Sequence, residues 1–233
     1  MTDSSQSGIH ISGDVSGQVA MGSSVTQSQS TPDASTTPDA ATILFWAANP
    51  VDTAPLQLGN EVRTIEERLR GSDLRDRFVL EQQWAVRPGD LAEGLLRYTP
   101  QIVHFSGHGN ESGDLVMRGD DGSSQPVSNT ALADLFAIAG DSVRCVVFNS
   151  CFSQAQAEAV AQHVDCVVGT SRAIEDDAAV RFAAGFYRAL GYGRSVATAF
   201  DLGCNEIDLA SIAGADIPQL ITRPDIDPST VTF

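Results

Sequence analysis

A chain of 233 residues with 30 acidic and 14 basic side chains carries a formal charge of −16, and every basic side chain is an arginine. It lacks the clustered cations that phosphate backbones and anionic membrane surfaces attract, so nucleic acid and membrane are excluded as partners. With 42% hydrophobic and 19% charged residues it is too apolar to be wholly disordered. The four cysteines, Cys145, Cys151, Cys166 and Cys204, show no CxxC or other metal spacing, and no signal peptide precedes them. Reduced thiols in a cytoplasm are therefore expected, with no metal or other cofactor. A GxxxxGK[ST] loop is absent, which argues against nucleotide hydrolysis. There is no apolar run of the ~18 residues that a membrane-spanning helix needs.

Composition divides the chain. Residues 1–41 contain no Leu, Phe, Tyr, Trp or Arg and are dominated by Ser, Thr, Gly and Gln. Such a segment builds no packed core and is expected to be a flexible tail. Within it, Ile9, Ile11, Gly13, Val15, Gly17, Val19, Met21 and Val25 all fall on odd positions. Polar or small residues fill the even ones, so the spacing is that of a strand with one dry face. A lone strand of this kind has nothing to bury against, whereas stacked copies would pair every backbone group. The GDVSGQVAMG stretch at 13–22, above all Gln18-Val19-Ala20-Met21-Gly22, resembles the bacterial amyloid signalling motifs related to RHIM and PP motifs. That resemblance implies an assembly motif at residues 1–29. Its core is Val15, Gly17, Gln18, Val19, Met21 and Gly22. It further implies homo-oligomers or filaments through residues 9–27 and an NLR-like receptor bearing a matching motif as partner. The plainer alternative is a disordered Ser/Gly leader. Residues 30–41, with the TPDA element repeated, read as a linker.

From residue 42 strand and helix signals alternate. Residues 42–48 (TILFWAA) form an apolar run of strand length. Leu58, Val62, Ile65 and Leu69 mark an amphipathic helix over 57–70 that Gly71 stops. A second strand is expected at 78–86 and a helix from Pro88 to Tyr98. A third strand at 101–105 ends in SGHG. A small hairpin follows at 115–118 and 125–127, then a helix over 129–139 with Asn129 as its N-cap. A fourth strand at 144–148 ends in Asn149-Ser150-Cys151. A helix over 153–164, a fifth strand at 165–169, helices over 176–190 and 195–208, and an edge strand at 218–222 complete the chain.

Strands separated by helices of this length imply βαβ units. The fold class is α/β, a three-layer α/β/α sandwich with a mostly parallel central sheet, here one domain over 42–233. In such sheets the working groups gather beyond the carboxyl ends of the strands. Two strand ends carry unusual chemistry, His108 after the third and Cys151 after the fourth. Neighbouring strands lie ~4.8 Å apart, so an imidazole and a thiol there come within reach if those strands are adjacent. Such a pair supplies a nucleophile and a proton donor for acyl transfer, and N–H groups near Gly109 and Cys151 suit an oxyanion.

The blocks His104-Phe-Ser-Gly-His-Gly109 and Asn149-Ser-Cys151, each closing an apolar strand, resemble the His and Cys blocks of the CHAT domain. That is the caspase-like peptidase domain of clan CD, kin to caspases and separase. The stretch from Gly169 through Asp177 to Val196 fits the same pattern. The resemblance implies Cys151 as nucleophile and His108 as general acid/base. It places Gly109 and Cys151 N–H in the oxyanion hole and makes a protein the substrate. It also implies an effector of bacterial immunity or programmed cell death. In separase-like relatives an acid in the region of 175–177 selects a basic P1 residue. Asp177 matches best and Asp176 next, while both also suit the first turn of a helix. Cys145, Cys166 and His104, inside strands, read as core residues. A CHAT-fold scaffold that is recruited but does not cleave is the rival class.

Overall fold

The computed structural model describes residues 40–233. The period-two segment, with Val15, Gly17, Gln18, Val19, Met21 and Gly22, lies outside the described residues. So does all of the expected linker but its last two residues. In chain order the elements begin with β1 (Ala41–Ala48), α1 (Leu58–Arg70), β2 (Phe78–Trp84), α2 (Asp90–Tyr98) and β3 (Ile102–Gly109). There follow β4 (Leu115–Arg118), β5 (Ser124–Val127), α3 (Asn129–Ala139), β6 (Cys145–Asn149) and α4 (Gln154–Val160). The chain ends with β7 (Cys166–Thr170), α5 (Asp176–Gly191), α6 (Val196–Leu209) and β8 (Pro218–Thr222). The main sheet runs β2-β1-β3-β6-β7-β8, parallel except for β8, and the β4–β5 hairpin hangs from the end of β3.

The alternation of side chains along each strand sorts the core into two halves. Ile43, Phe45 and Ala47 of β1 face α1, α5 and α6, together with Ile102, Cys145, Val147 and Cys166. Leu44, Trp46 and Ala48 face α2, α3 and α4, together with Val103, Phe105, Val146 and Phe148. Each fully buried large side chain contributes about 1.5–3 kcal/mol over leaving it in water. The central strands, dry on both faces, therefore carry the three layers. The edge strand β2 reads FVLEQQW and is only half-covered, because one flank and much of one face meet solvent. Helices α5 and α6 touch backbone to backbone. A Cβ on Gly185 would sit 2.4 Å from Leu202 O, and one on Gly203 would sit 2.7 Å from the Phe182 ring.

The expected elements are present, and their ends differ for local reasons. Strand β1 starts one residue early, at Ala41. Ser128, not Asn129, caps α3: its hydroxyl accepts from Ala131 N–H at 3.3 Å from an extended backbone. Helix α2 begins at Asp90, beyond Pro88, and the Asp90 carboxylate accepts from Arg87 N–H at 2.9 Å. Helix α4 closes at Val160, four residues short of the expected end. Most consequential is β3, which runs on through Gly109. Its last two residues pair with β4, His108 against Val116 and Gly109 against Leu115. His108 thus stands on a strand and not in a loop. Among the described residues no helix is long and apolar enough to cross a membrane.

Candidate active site

β3 and β6 are neighbours, and their last shared rung pairs Ser106 with Asn149. His108 keeps the strand parity that points to the α1/α5 side, and Cys151, in the turn after β6, faces the same side beside Ile174. Beyond the rung the two chain segments close on one another. A Cβ on Gly109 would lie 1.9 Å from Cys151 O, and one on Gly107 would lie 2.8 Å from Ala48 O. Only glycine permits either approach. Gly109 is the reason β3 passes so near the cysteine turn, and Gly107 lets it lie close against β1.

That turn is held from behind. Ser153 Oγ lies 2.9 Å from Ser150 O and 3.1 Å from Phe148 O. Thr170 of β7 donates its N–H to Ser153 Oγ at 3.0 Å and its hydroxyl to Ser150 O at 2.5 Å. Ser153 and Thr170 are both buried. Phe152 takes a left-handed backbone with φ of 57°, a conformation that costs a non-glycine residue on the order of 1–3 kcal/mol. The hydroxyl bonds on either side offset that strain and present Cys151 at the head of the turn.

His108 Nε2–H donates to Ala54 O, 2.9 Å away on the β1–α1 connection. A carbonyl only accepts, so this bond keeps a proton on Nε2, and the neutral ring then carries its lone pair on Nδ1. Cys151 Sγ lies 3.8 Å from Ile174 O. His108 and Cys151 border a narrow cleft of about 40 Å³, walled by Leu56 from the β1–α1 connection, by Glu61 of α1, by Ile174 just before α5 and by Asp176 and Ala179 in the first turns of α5. The two candidate acids part here. Asp176, half-buried, lines this cleft and accepts from Gln57 N–H at 2.8 Å. Asp177, exposed, lines the adjoining groove with Arg68 and Arg181 and accepts from Gln57 Nε2 at 3.2 Å. Both sit in the first turn of α5, and neither is its N-cap, which is Glu175.

The remaining thiols are elsewhere. Cys145 and Cys166 are buried in the sheet, as their place in the strands implies. Burial pushes the Cys145 thiol well above its ordinary range, Cys166 up to about 12 and half-buried Cys204 up to about 11. Among the described residues no group of three or more His, Cys, Asp or Glu is arranged to hold a metal ion.

Sequence reading missed one residue. Glu61 stands on the apolar stripe of α1 between Leu58 and Ile65 and is only 2% exposed. Its carboxylate accepts from His104 Nε2 at 2.7 Å, from Asn149 Nδ2 at 2.5 Å and from Ser106 Oγ. Tyr187 OH meets His104 Nδ1 at 3.0 Å, and Phe45 stacks on the imidazole at 5.2 Å. The available signal was a charge at a position where the helical period demands an apolar side chain.

A CHAT domain family model matches residues 15–201. A prokaryotic Roc-COR-CHAT protease is 29% identical over 155 residues, 64% of this chain but 15% of that protein. A probable protease of Gillisia limnaea is 24% identical over 153 residues, 65% of this chain and 27% of that one. The chain therefore spans well under a third of the length of either relative. Among solved structures, a secreted C11 cysteine protease of Bacteroides thetaiotaomicron superposes with a TM-score of 0.58 at 11% identity. That match covers 79% of this chain and 66% of the protease. The arginine-specific cysteine proteinase gingipain R gives 0.57 at 11% identity, over 82% and 47% of the two chains. Caspase-1 of Spodoptera frugiperda gives 0.50 at 11%, over 79% and 86%. These likenesses establish a caspase-like fold. The family match takes in both strand-end blocks, β3 with its histidine and β6 with its cysteine turn, and on that basis the chain belongs to the CHAT domain family.

Proposed function

We propose that this chain is a cysteine endopeptidase working through a His108–Cys151 dyad. The observation that carries the reading is the contact of Gly109 with the Cys151 carbonyl. It brings imidazole and thiol to one cleft while the Ala54 carbonyl holds the ring. His108 Nδ1 accepts the Cys151 proton, and the thiolate attacks the scissile carbonyl. The tetrahedral oxyanion accepts from Gly109 and Cys151 N–H, each donor worth about 2.7–4 kcal/mol in comparable sites. The imidazolium returns its proton to the leaving amine, and water, deprotonated by His108, then releases the acyl group and restores the thiol.

A basic P1 residue is the proposed preference. Asp176 supports it from the cleft wall, and Asp177 supplies a second negative charge next door. The name of gingipain R records arginine specificity on the same fold. The period-two tail supports recruitment: copies assemble through residues 9–27 on a receptor with a matching motif, in the cytoplasm, as an immune or cell-death effector. The narrowness of the cleft, about 40 Å³, favours a second reading, a CHAT-fold scaffold whose dyad is closed to substrate. Fluorogenic peptides with Arg, Lys or Asp at P1, offered to the full chain before and after assembly, separate the two. The peptidase reading expects cleavage after Arg or Lys that Cys151→Ala abolishes. Absence of any Cys151-dependent turnover in either state overturns it.

A further inference from the structure

We propose that Glu61 is a positioning residue whose buried carboxylate clamps the ends of β3 and β6, and so sets the spacing of His108 and Cys151. This rests on the peptidase reading for its kinetic consequence, but not for its structural one.

A carboxylate on the apolar stripe of a helix is costly unless fully hydrogen-bonded, and well-packed apolar residues commonly stabilise such a site better. Stability alone therefore gives no reason for Glu61. Geometry does. Its three donors come from the two catalytic strands and from no other element: His104 and Ser106 on β3, Asn149 on β6. Ser106 and Asn149 are the last paired rung before the strands part. Beyond it no ladder bond joins the two strands. Among the described residues, the carboxylate is the side-chain tie that joins them at this last rung, where each strand leaves for its catalytic residue.

The clamp is itself anchored. Asn149 also donates to Ala179 O of α5 at 3.1 Å, and His104 reaches Tyr187 of the same helix. Helix α1, which carries Glu61, follows the connection whose Ala54 carbonyl orients His108. One side chain thus couples the histidine strand, the cysteine strand and the segment that sets the imidazole tautomer. Glu61 also lines the cleft beside His108 and Cys151, and its carboxylate already accepts three donors from the two strands.

Two variants separate bonding from volume. Glu61→Gln keeps an acceptor for His104 and Asn149 and turns its amide toward Ser106 Oγ, which then accepts. Glu61→Leu keeps the apolar packing and loses all three bonds. On the full chain, Glu61→Leu is expected to lower kcat on the order of 100-fold with KM within about threefold, since a misplacement near 1 Å costs about that much. Glu61→Gln is expected to stay within about threefold of wild type. Hydrogen exchange, measured well below each melting temperature, gives a readout independent of turnover. Amides of 106–109 and 149–152 should exchange at least ~10-fold faster in Glu61→Leu, while β1 and β7 keep their protection. If Glu61→Leu does not fold, Ser106→Ala removes one arm and should show the same two segments loosened to a smaller degree. Wild-type kcat in folded Glu61→Leu, or a uniform rise in exchange across the sheet, overturns the clamp. So does a Glu61→Gln loss equal to that of Glu61→Leu. Wild type without Cys151-dependent turnover overturns the peptidase reading instead, and the exchange pattern still decides the clamp.

Discussion

Gly109→Ala adds one methyl group at the closest approach in the site. Its Cβ would fall 1.9 Å from Cys151 O and 3.5 Å from Cys151 N. Side-chain carbons do not approach a carbonyl oxygen within about 3 Å, so β3 or the cysteine turn must retreat by about 1 Å. Neither yields easily. Gly109 is paired to Leu115 of β4, and the turn is pinned by Ser153 and Thr170. Overpacking of this kind costs about 1–3 kcal/mol of stability. On the proposed oxyanion hole the catalytic cost is larger, because the shift moves Gly109 N–H out of its place there. Loss of one such donor is worth about 2.7–4 kcal/mol, or roughly 10²–10³ in kcat. The assay is initial-rate cleavage of a P1-Arg peptide beside a thermal melt. Gly59→Ala is the control, since nothing lies within 4 Å of the added methyl. It should keep full activity and melt at the same temperature or slightly higher. Wild-type kcat/KM and melting in Gly109→Ala would refute the close approach of the two strand ends, and with it the argument for the dyad.

Gly185→Ala should lower stability by about 1–3 kcal/mol in a denaturant melt, because its methyl group meets Leu202 O at 2.4 Å. The buried thiols predict alkaline sensitivity. An unfolded cysteine titrates near 8.5, whereas burial pushes folded Cys166 up to about 12, so both states are neutral below about pH 8. As pH rises through the interval between those values, the unfolded chain releases a proton that the folded chain keeps. Stability then falls, by at most about 1.4 kcal/mol per pH unit for each such thiol. Melting temperatures from pH 8 to pH 10.5 measure this, and Cys166→Ala should give a shallower decline. Identical slopes would contradict the assignment. Asp176→Asn should erode the preference for P1 Arg over an uncharged P1 residue more than Asp177→Asn does, since Asp176 lines the cleft. The reverse order in kcat/KM ratios would return the specificity to the α1–α5 groove.

Much of this molecule is legible along the chain. The order of strands and helices follows from apolar spacing, because burial on one or both faces imposes a local period. Thus TILFWAA reads as a strand dry on both faces, and Leu58, Val62, Ile65 and Leu69 as a helix stripe. The tail, with no large apolar residue but methionine, isoleucine and valine, separates itself by composition. His108 and Cys151 stand out because each follows the end of an apolar run with a reactive group, where α/β sheets keep their chemistry. Tertiary structure decided the rest. Glu61 bonds to residues 43, 45 and 88 positions away, and the Ala54 carbonyl meets a ring 54 positions away. Asp176 and Asp177, adjacent in sequence, face different cavities because successive residues on a helix are turned by about 100°. Spacing records which face a residue takes on its own element. Which donors, carbonyls and cavities lie opposite that face depends on strand order and register, and these arise only when the whole sheet assembles.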